Sequence, residues 1–138
     1  MIEYLYSLDG ISEEQLDSGF FDGWPNPPSR ANFYRILQNS TYVWLAVDKD
    51  SNKVVGFINA ISDKVLTAYI PLLEVIPEYQ KQGIGSELVD RMLEQLKDYY
   101  MVDLLCDADL QGYYENRGMR VTTGMMKRNY NQQSGKAL

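Results

Sequence analysis

The chain has 138 residues, 45% apolar side chains and a formal net charge of −6, which suits one folded domain and argues against a nucleic-acid backbone as partner. It contains no histidine and a single cysteine, Cys106, which excludes imidazole bases, Ser-His-Asp triads, His-ligated metals, an intrachain disulfide and a cysteine-built zinc site. No apolar run reaches the roughly 18 residues a membrane span needs, and Met1-Ile2-Glu3-Tyr4 lacks the make-up of a signal peptide, so the expectation is a cytoplasmic protein with no membrane partner.

In chain order, Ile2, Tyr4, Tyr6 and Leu8 alternate with other residues as in a strand. Ser12-Glu13-Glu14-Gln15 matches a capping box and predicts a short helix ending at Gly19. Residues 19–28 hold too many glycines and prolines for regular structure, yet carry Phe20, Phe21 and Trp24, which either plug the core or wall a pocket. Ser29 is placed to cap a second helix to about residue 38, with Phe33, Ile36 and Leu37 inward. Residues 41–47 and 54–61 form a hairpin, and 65–75 a third strand in which Pro71 demands an edge, a bulge or a break. Ile84, Leu88, Val89, Met92, Leu93, Leu96 and Tyr100 recur at helical spacing, marking the strongest helix. Residues 101–106 read as a buried strand carrying an inert Cys106, and about 109–116 as a short helix stopped by Gly118. Residues 119–130 are predicted as a last strand or hairpin closing a single domain over 1–130, and 131–138 as a frayed polar tail. This order implies an α+β fold with a mostly antiparallel sheet.

Gln80-Lys81-Gln82-Gly83-Ile84-Gly85-Ser86 stands between a strand and the long helix. A glycine turn at a helix start aims unpaired backbone N–H groups at one point, a cradle for phosphate. It is not a Walker loop, since Ser86-Glu87 follows Gly85, nor a dinucleotide fingerprint, since position 88 is Leu88. Gln80, Gly83 and Gly85 meet Arg/Gln-x-x-Gly-x-Gly/Ala, the acyl-CoA motif of the GNAT N-acetyltransferase superfamily. The preceding Val75-Ile76-Pro77 and the later Tyr113-Tyr114-Glu115-Asn116-Arg117-Gly118-Met119 also resemble that superfamily's segments, and the resemblance is strongest over 53–119.

The resemblance implies a central sheet of about six or seven strands, splayed between the family's fourth and fifth, with about four flanking helices. It implies acetyl-CoA as cosubstrate, with no metal. The pantetheine arm would pair with Leu73, Glu74 and Val75, and the pyrophosphate would rest on amides of Lys81, Gln82, Gly83, Ile84, Gly85 and Ser86. An N–H near Glu74 or Val75 would stabilise the oxyanion. Tyr114 stands where the family often keeps a general acid; a core aromatic is the competing role. Glu74 is the leading candidate base, with Tyr69 and Asp22 weaker ones. Asp107 replaces a common asparagine and is left outside the cofactor site, as a helix cap instead.

Acceptor sites in this superfamily draw on the first helices and their loop, which nominates Phe20, Phe21, Asp22 and Trp24, with Tyr69. Residues 1–50 carry three basic side chains against eight acidic ones, either solvated faces or a rim that attracts cations. The expected activity is N-acetyl transfer to a primary amine, of a small cationic metabolite or of a peptide or protein. The alternatives are a CoA-binding sensor or assembly module without turnover, or a cradle for another phosphate ligand. Homodimers are common in the superfamily, so a second copy is an implied partner.

Overall fold

The computed structural model describes residues 1–138. Its strands are β1 (Ile2–Leu5), β2 (Tyr42–Asp48), β3 (Lys53–Ser62), β4 (Thr67–Ile70), β5 (Leu73–Val75) and β6 (Met101–Leu104); its α-helices are α1 (Arg30–Gln38), α2 (Ile84–Gln95) and α3 (Gln111–Glu115). The sheet order is β1-β2-β3-β4-β6, with β5 also on β3. Every pairing is antiparallel except β4 with β6. The α+β architecture expected from the sequence is therefore present, with six strands.

Pro71 acts as a break. β4 pairs with β3 at Ile61↔Tyr69 and Ser62↔Ala68, and β5 resumes on β3 from Ile58↔Leu73 to Gly56↔Val75. Proline offers no N–H to a ladder, so the strand is cut there. Asn59, 2% exposed, stitches the cut: its N–H donates to the Leu72 carbonyl at 3.2 Å, and its Oδ1 accepts from the Leu72 N–H at 3.1 Å. Meanwhile β4 runs parallel to β6 only from Thr67↔Met101 to Ile70↔Leu104. Beyond Pro71 the chain stays with β3 and leaves β6, which opens the splay expected between the family's fourth and fifth strands.

Each sheet face carries its own core. On one, Ile84, Leu88, Val89, Met92 and Leu96 from α2 and its end meet Ile58, Ala60, Ala68 and Ile70. On the other, Phe33 and Leu37 of α1 join Phe21, Val43, Leu45 and Phe57. α1 starts at Ser29 as expected, the Ser29 Oγ accepting from the Asn32 N–H at 3.1 Å.

Five expectations change. The first helix is one 3-10 turn, Glu13–Leu16, so three α-helices flank the sheet rather than about four. Its capping contact is real, Ser12 N–H to Gln15 Oε1 at 2.8 Å, but only Leu16 of the turn is buried, too little to hold a longer helix. α2 ends at Gln95, which leaves Tyr100 outside it and 85% exposed. β6 ends at Leu104, so Cys106 lies past the strand and is half-buried. Residues 119–129 form no strand, and none of residues 120–128 makes a backbone–backbone hydrogen bond. The polar tail does not hang free: Asn26 N–H donates to Gln133 Oε1 at 2.9 Å, Asn32 Nδ2 to the Ser134 carbonyl at 2.8 Å, and Arg35 to the Lys136 carbonyl at 2.8 Å.

Candidate active site

The cradle begins with two left-handed residues, Lys81 at φ +63° and Gly83 at φ +84°. Gly83 is the N-cap of α2, and a Cβ built on it would meet nothing within 4 Å, so the space before it is open. The backbone N–H groups from Lys81 to Ser86 donate to no protein acceptor; the first helical bond here is Glu87 N–H to the Gly83 carbonyl at 3.1 Å. Six unpaired donors at the positive end of a twelve-residue helix suit an anion. A Cβ on Gly85 would lie 3.7 Å from Val75 Cγ2, which seats the cradle against β5. Gln80 fastens it there, Nε2 donating to the Val75 carbonyl at 2.9 Å.

β5 presents its free edge to the splay. Ile76 N–H donates to the Val55 carbonyl and Asn59 N–H to the Leu72 carbonyl, so even-numbered residues here face β3. By alternation the amides of Leu73 and Val75 point away, toward the gap left by β6. Of the two N–H groups considered for an oxyanion, that of Val75 has the right direction. That of Glu74 is turned to Phe57 across the ladder.

On the α2 face, Tyr114 is 9% exposed and its hydroxyl makes no hydrogen bond, while its carbonyl accepts from the Arg117 and Met119 N–H groups. Burial, then Tyr113 and Cys106, push its phenol above the usual tyrosine value, against a smaller lowering by Arg117. It stays protonated through neutral pH. With Cys106 and Tyr69 it lines an open trough of about 1200 Å³ bounded by β6 on one side and the chain from 117 to 128 on the other. A five-residue helix cannot fix a phenol unaided. Arg117 does so: its Nε bonds Asp90 of α2 at 2.9 Å, and its guanidinium lies 3.9 Å from the Tyr113 ring centre. The Tyr113 hydroxyl also reaches Ser86 Oγ, at 3.2 Å, tying α3 to the cradle.

On the α1 face stands Glu74. Its Oε1 accepts the Phe21 N–H at 2.8 Å. Burial raises its carboxyl above the ordinary glutamate value, the Phe21 bond lowers it, and Asp22 raises it again. The aromatic loop thus reaches the site through its main chain. The Phe21 ring, 4% exposed, packs at 5.1 Å from Phe33, and Phe20 at 5.4 Å from Phe57. The Phe21 ring lies in the core, as one of the two sequence readings held, and Phe20 is half-buried against both cores. Trp24 is half-buried against Phe21 at 4.9 Å, and Asp22 is exposed beside Glu74. Glu74 and Tyr114 are on opposite faces of the sheet, so the splay is where they can serve one reaction.

Most early acidic residues serve elsewhere. Glu13 and Asp17 lie 3.6 and 3.7 Å from Arg30, Glu3 lies 3.5 Å from Lys49, and Asp48 and Asp50 attend the N-terminal amine. Asp48 also receives the Tyr79 hydroxyl. Only Asp22 joins Glu74. Asp107 takes the cap position of the 3-10 turn at Ala108–Leu110 through its carbonyl, without a side-chain bond. Sequence reasoning missed Arg117, Tyr113 and the left-handed Phe21, at φ +62°. The signal for Arg117 was within reach, a lone cation one turn after Tyr113 facing an acidic helix; that for Phe21 was not.

Residues 9–119 match the sequence profile of the acetyltransferase (GNAT) family. GCN5-related N-acetyltransferase 2, chloroplastic, of Arabidopsis thaliana is 27% identical over 133 residues, 83% of this chain and 49% of that protein. An uncharacterized N-acetyltransferase, ycf52-like, of Prochlorococcus marinus is 32% identical over 117 residues, covering 81% of this chain and 63% of that one. The chain thus spans about half to two thirds of the length of these relatives. A crystal structure from Deinococcus radiodurans R1, provisionally described as an acetyltransferase, superposes with a TM-score of 0.93 at 44% identity over 99% of this chain and 94% of that one.

Proposed function

Because the chain belongs to the GNAT acetyltransferase family, we propose that it transfers an acetyl group from acetyl-CoA to a primary amine. The observation that carries this is the row of unpaired N–H groups from Lys81 to Ser86, set against a strand whose free edge opens on a splay. Lys81, Gln82, Gly83, Ile84, Gly85 and Ser86 would hold the pyrophosphate, and Leu73 and Val75 the pantetheine amides. The residues fit: the space before Gly83 is open, and the donors lack other partners. When bound, acetyl-CoA supplies an activated acyl carbonyl.

The chain's own groups then divide the work. The Val75 N–H is the donor available to an oxygen gaining negative charge. Glu74, its carboxyl held by Phe21 and its affinity for a proton raised, is the base that takes a proton from the incoming ammonium. Tyr114, protonated and without another partner, donates to the departing sulfur. Asp22, Trp24 and Tyr69 line the acceptor's approach, with Phe20 and Phe21 supporting from the core. Two neighbouring carboxylates, Glu74 and Asp22, favour a cationic amine, whether a small metabolite or a peptide. No helix is long and apolar enough to cross a membrane. A cytoplasmic setting is part of this proposal, although the Arabidopsis relative is chloroplastic by name.

The test is thiol release from acetyl-CoA against a panel of amines. Turnover with a cationic amine, reduced in Tyr114→Phe, is the expected result. Tight acetyl-CoA binding with no thiol released for any amine would instead establish a non-catalytic CoA-binding module, and preference for ATP over CoA would remove both.

A further inference from the structure

Cys106, the chain's one thiol, is not sealed in the core. Past the end of β6 it keeps the strand's alternation: Val102, Leu104 and Cys106 are half-buried against the α2 cluster, while Met101, Asp103 and Leu105 are exposed. The parallel register of β6 with β4 runs to Ile70↔Leu104. Two residues further, where Cys106 stands, Pro71 has already turned the facing chain onto β3. The thiol is therefore placed on the β6 wall of the splay, where the gap begins.

A second observation points to a ligand at this spot. The Tyr114 side chain is more than nine-tenths buried, its hydroxyl has no protein partner, and it lines the same trough as Cys106. A buried donor left without an acceptor is costly, so the trough beside it suits an occupant that accepts. The two side chains are neighbours, the thiol being among the groups that raise the phenol. The cradle adjoins them, since the Tyr113 hydroxyl reaches Ser86 Oγ at 3.2 Å and the Tyr113 ring lies 5.0 Å from the Tyr114 ring. Phosphate donors thus stand at one end of this run and a free thiol at the other.

We infer that Cys106 is a modification site for CoA itself, forming with the CoA sulfur a mixed disulfide that locks the site until another thiol releases it. This rests on the reading of residues 81–86 as a CoA cradle. The co-reactant is CoA disulfide. The Cys106 thiolate attacks one of its sulfurs, the old S–S bond breaks, and one CoA leaves as a thiolate that takes up the proton Cys106 lost. One disulfide replaces another, so no outside oxidant is consumed. A second thiol attacking the new bond restores Cys106 and frees the held CoA. The open trough of about 1200 Å³ gives the departing half its way out. A disulfide gripped by the cradle reacts at a raised effective concentration, and one without a nucleotide end does not.

The experiment is intact-protein mass spectrometry of the full chain exposed to CoA disulfide and, in parallel, to glutathione disulfide. The expected adduct is one CoA less two hydrogen atoms, mapped to Cys106 and removed by dithiothreitol. It should form at least about tenfold faster than the glutathione adduct. Gly83→Val, with its cradle blocked, should lose that advantage, and Cys106→Ser should gain no mass. Equal rates with the two disulfides would mark a merely accessible thiol and overturn the inference. So would a CoA adduct indifferent to Gly83→Val, or none at all. Calorimetry on Cys106→Ser separates the two levels. CoA bound there, with no adduct in the wild type, removes this inference alone, whereas no binding removes the reading beneath it as well.

Discussion

At Tyr114 the chemistry rests on one proton. A buried phenol pushed above its usual range is protonated at neutral pH and has no protein partner competing for its hydrogen. Tyr114→Phe should lower kcat by about 10²–10⁴-fold, the usual range for a lost acid, with acetyl-CoA affinity kept. A change confined to KM would return the residue to packing. Glu74 tests the other half-reaction. Its folded-state value lies above the unfolded one, chiefly through burial, so the folded chain holds the proton longer. Stability from this group is therefore greatest at acid pH and declines as pH rises from the ordinary glutamate range through the folded value. Glu74→Gln keeps an oxygen for the Phe21 N–H and removes the charge. Melting curves should lose that decline, and kcat should fall with its acidic limb. A variant with full activity would show that the amine arrives neutral and needs no carboxylate.

Elements set these side chains in place, and three substitutions separate cradle from scaffold. Gly83 is left-handed, so Gly83→Val strains the turn by about 1–2 kcal/mol and also puts a branched side chain where the phosphate belongs. Calorimetry should find acetyl-CoA binding abolished in a protein that still melts cooperatively. Gly85→Ala meets only ordinary contact with Val75, has no positive φ, and should leave stability equal or higher. Arg117→Ala should loosen α3, costing about 1–2 kcal/mol and lowering kcat through Tyr114 without touching the cradle. Equal loss of acetyl-CoA binding would contradict that division. Elements whose signal is local were legible beforehand: the Ser29 cap, the α2 stripe, the Pro71 break and the glycine turn are each written within a few residues. What failed depended on distant partners. Residues 119–129 have strand-like composition, but a strand needs ladder bonds to a neighbour, and none of 120–128 makes one; the 12–16 turn lacked apolar surface to extend it. Nor could spacing tell that Phe21 would send its ring to Phe33 and Phe57 and its N–H to Glu74.

Taken whole, the molecule is two sheet portions joined at a narrow seam. β1, β2, β3 and β5 form the larger portion, while β4 and β6 hang from β3 through two register pairs, Ile61↔Tyr69 and Ser62↔Ala68. The splay lies along that seam, and α2 underlies both sides, since Ile58 from the larger portion and Ala68 and Ile70 from the smaller share its cluster. A cosubstrate bonded to the β5 edge and resting on the α2 start would therefore brace the place where the sheet is least continuous. Ligand that binds only the folded state stabilises it by about 2.7 kcal/mol at a hundredfold excess over Kd. That gain applies to global unfolding, whereas amides near a seam exchange through smaller openings. Hydrogen exchange with saturating CoA should thus slow at 73–75 and 101–104 by more than about tenfold under native conditions. The centre of β2 and β3, buried on both faces and expected to open only with the whole molecule, should follow the global change alone. Uniform protection across all strands, or protection limited to 81–86, would mean that the ligand sits on the cradle without spanning the splay. The thioester carbonyl would then lie out of reach of the Val75 N–H.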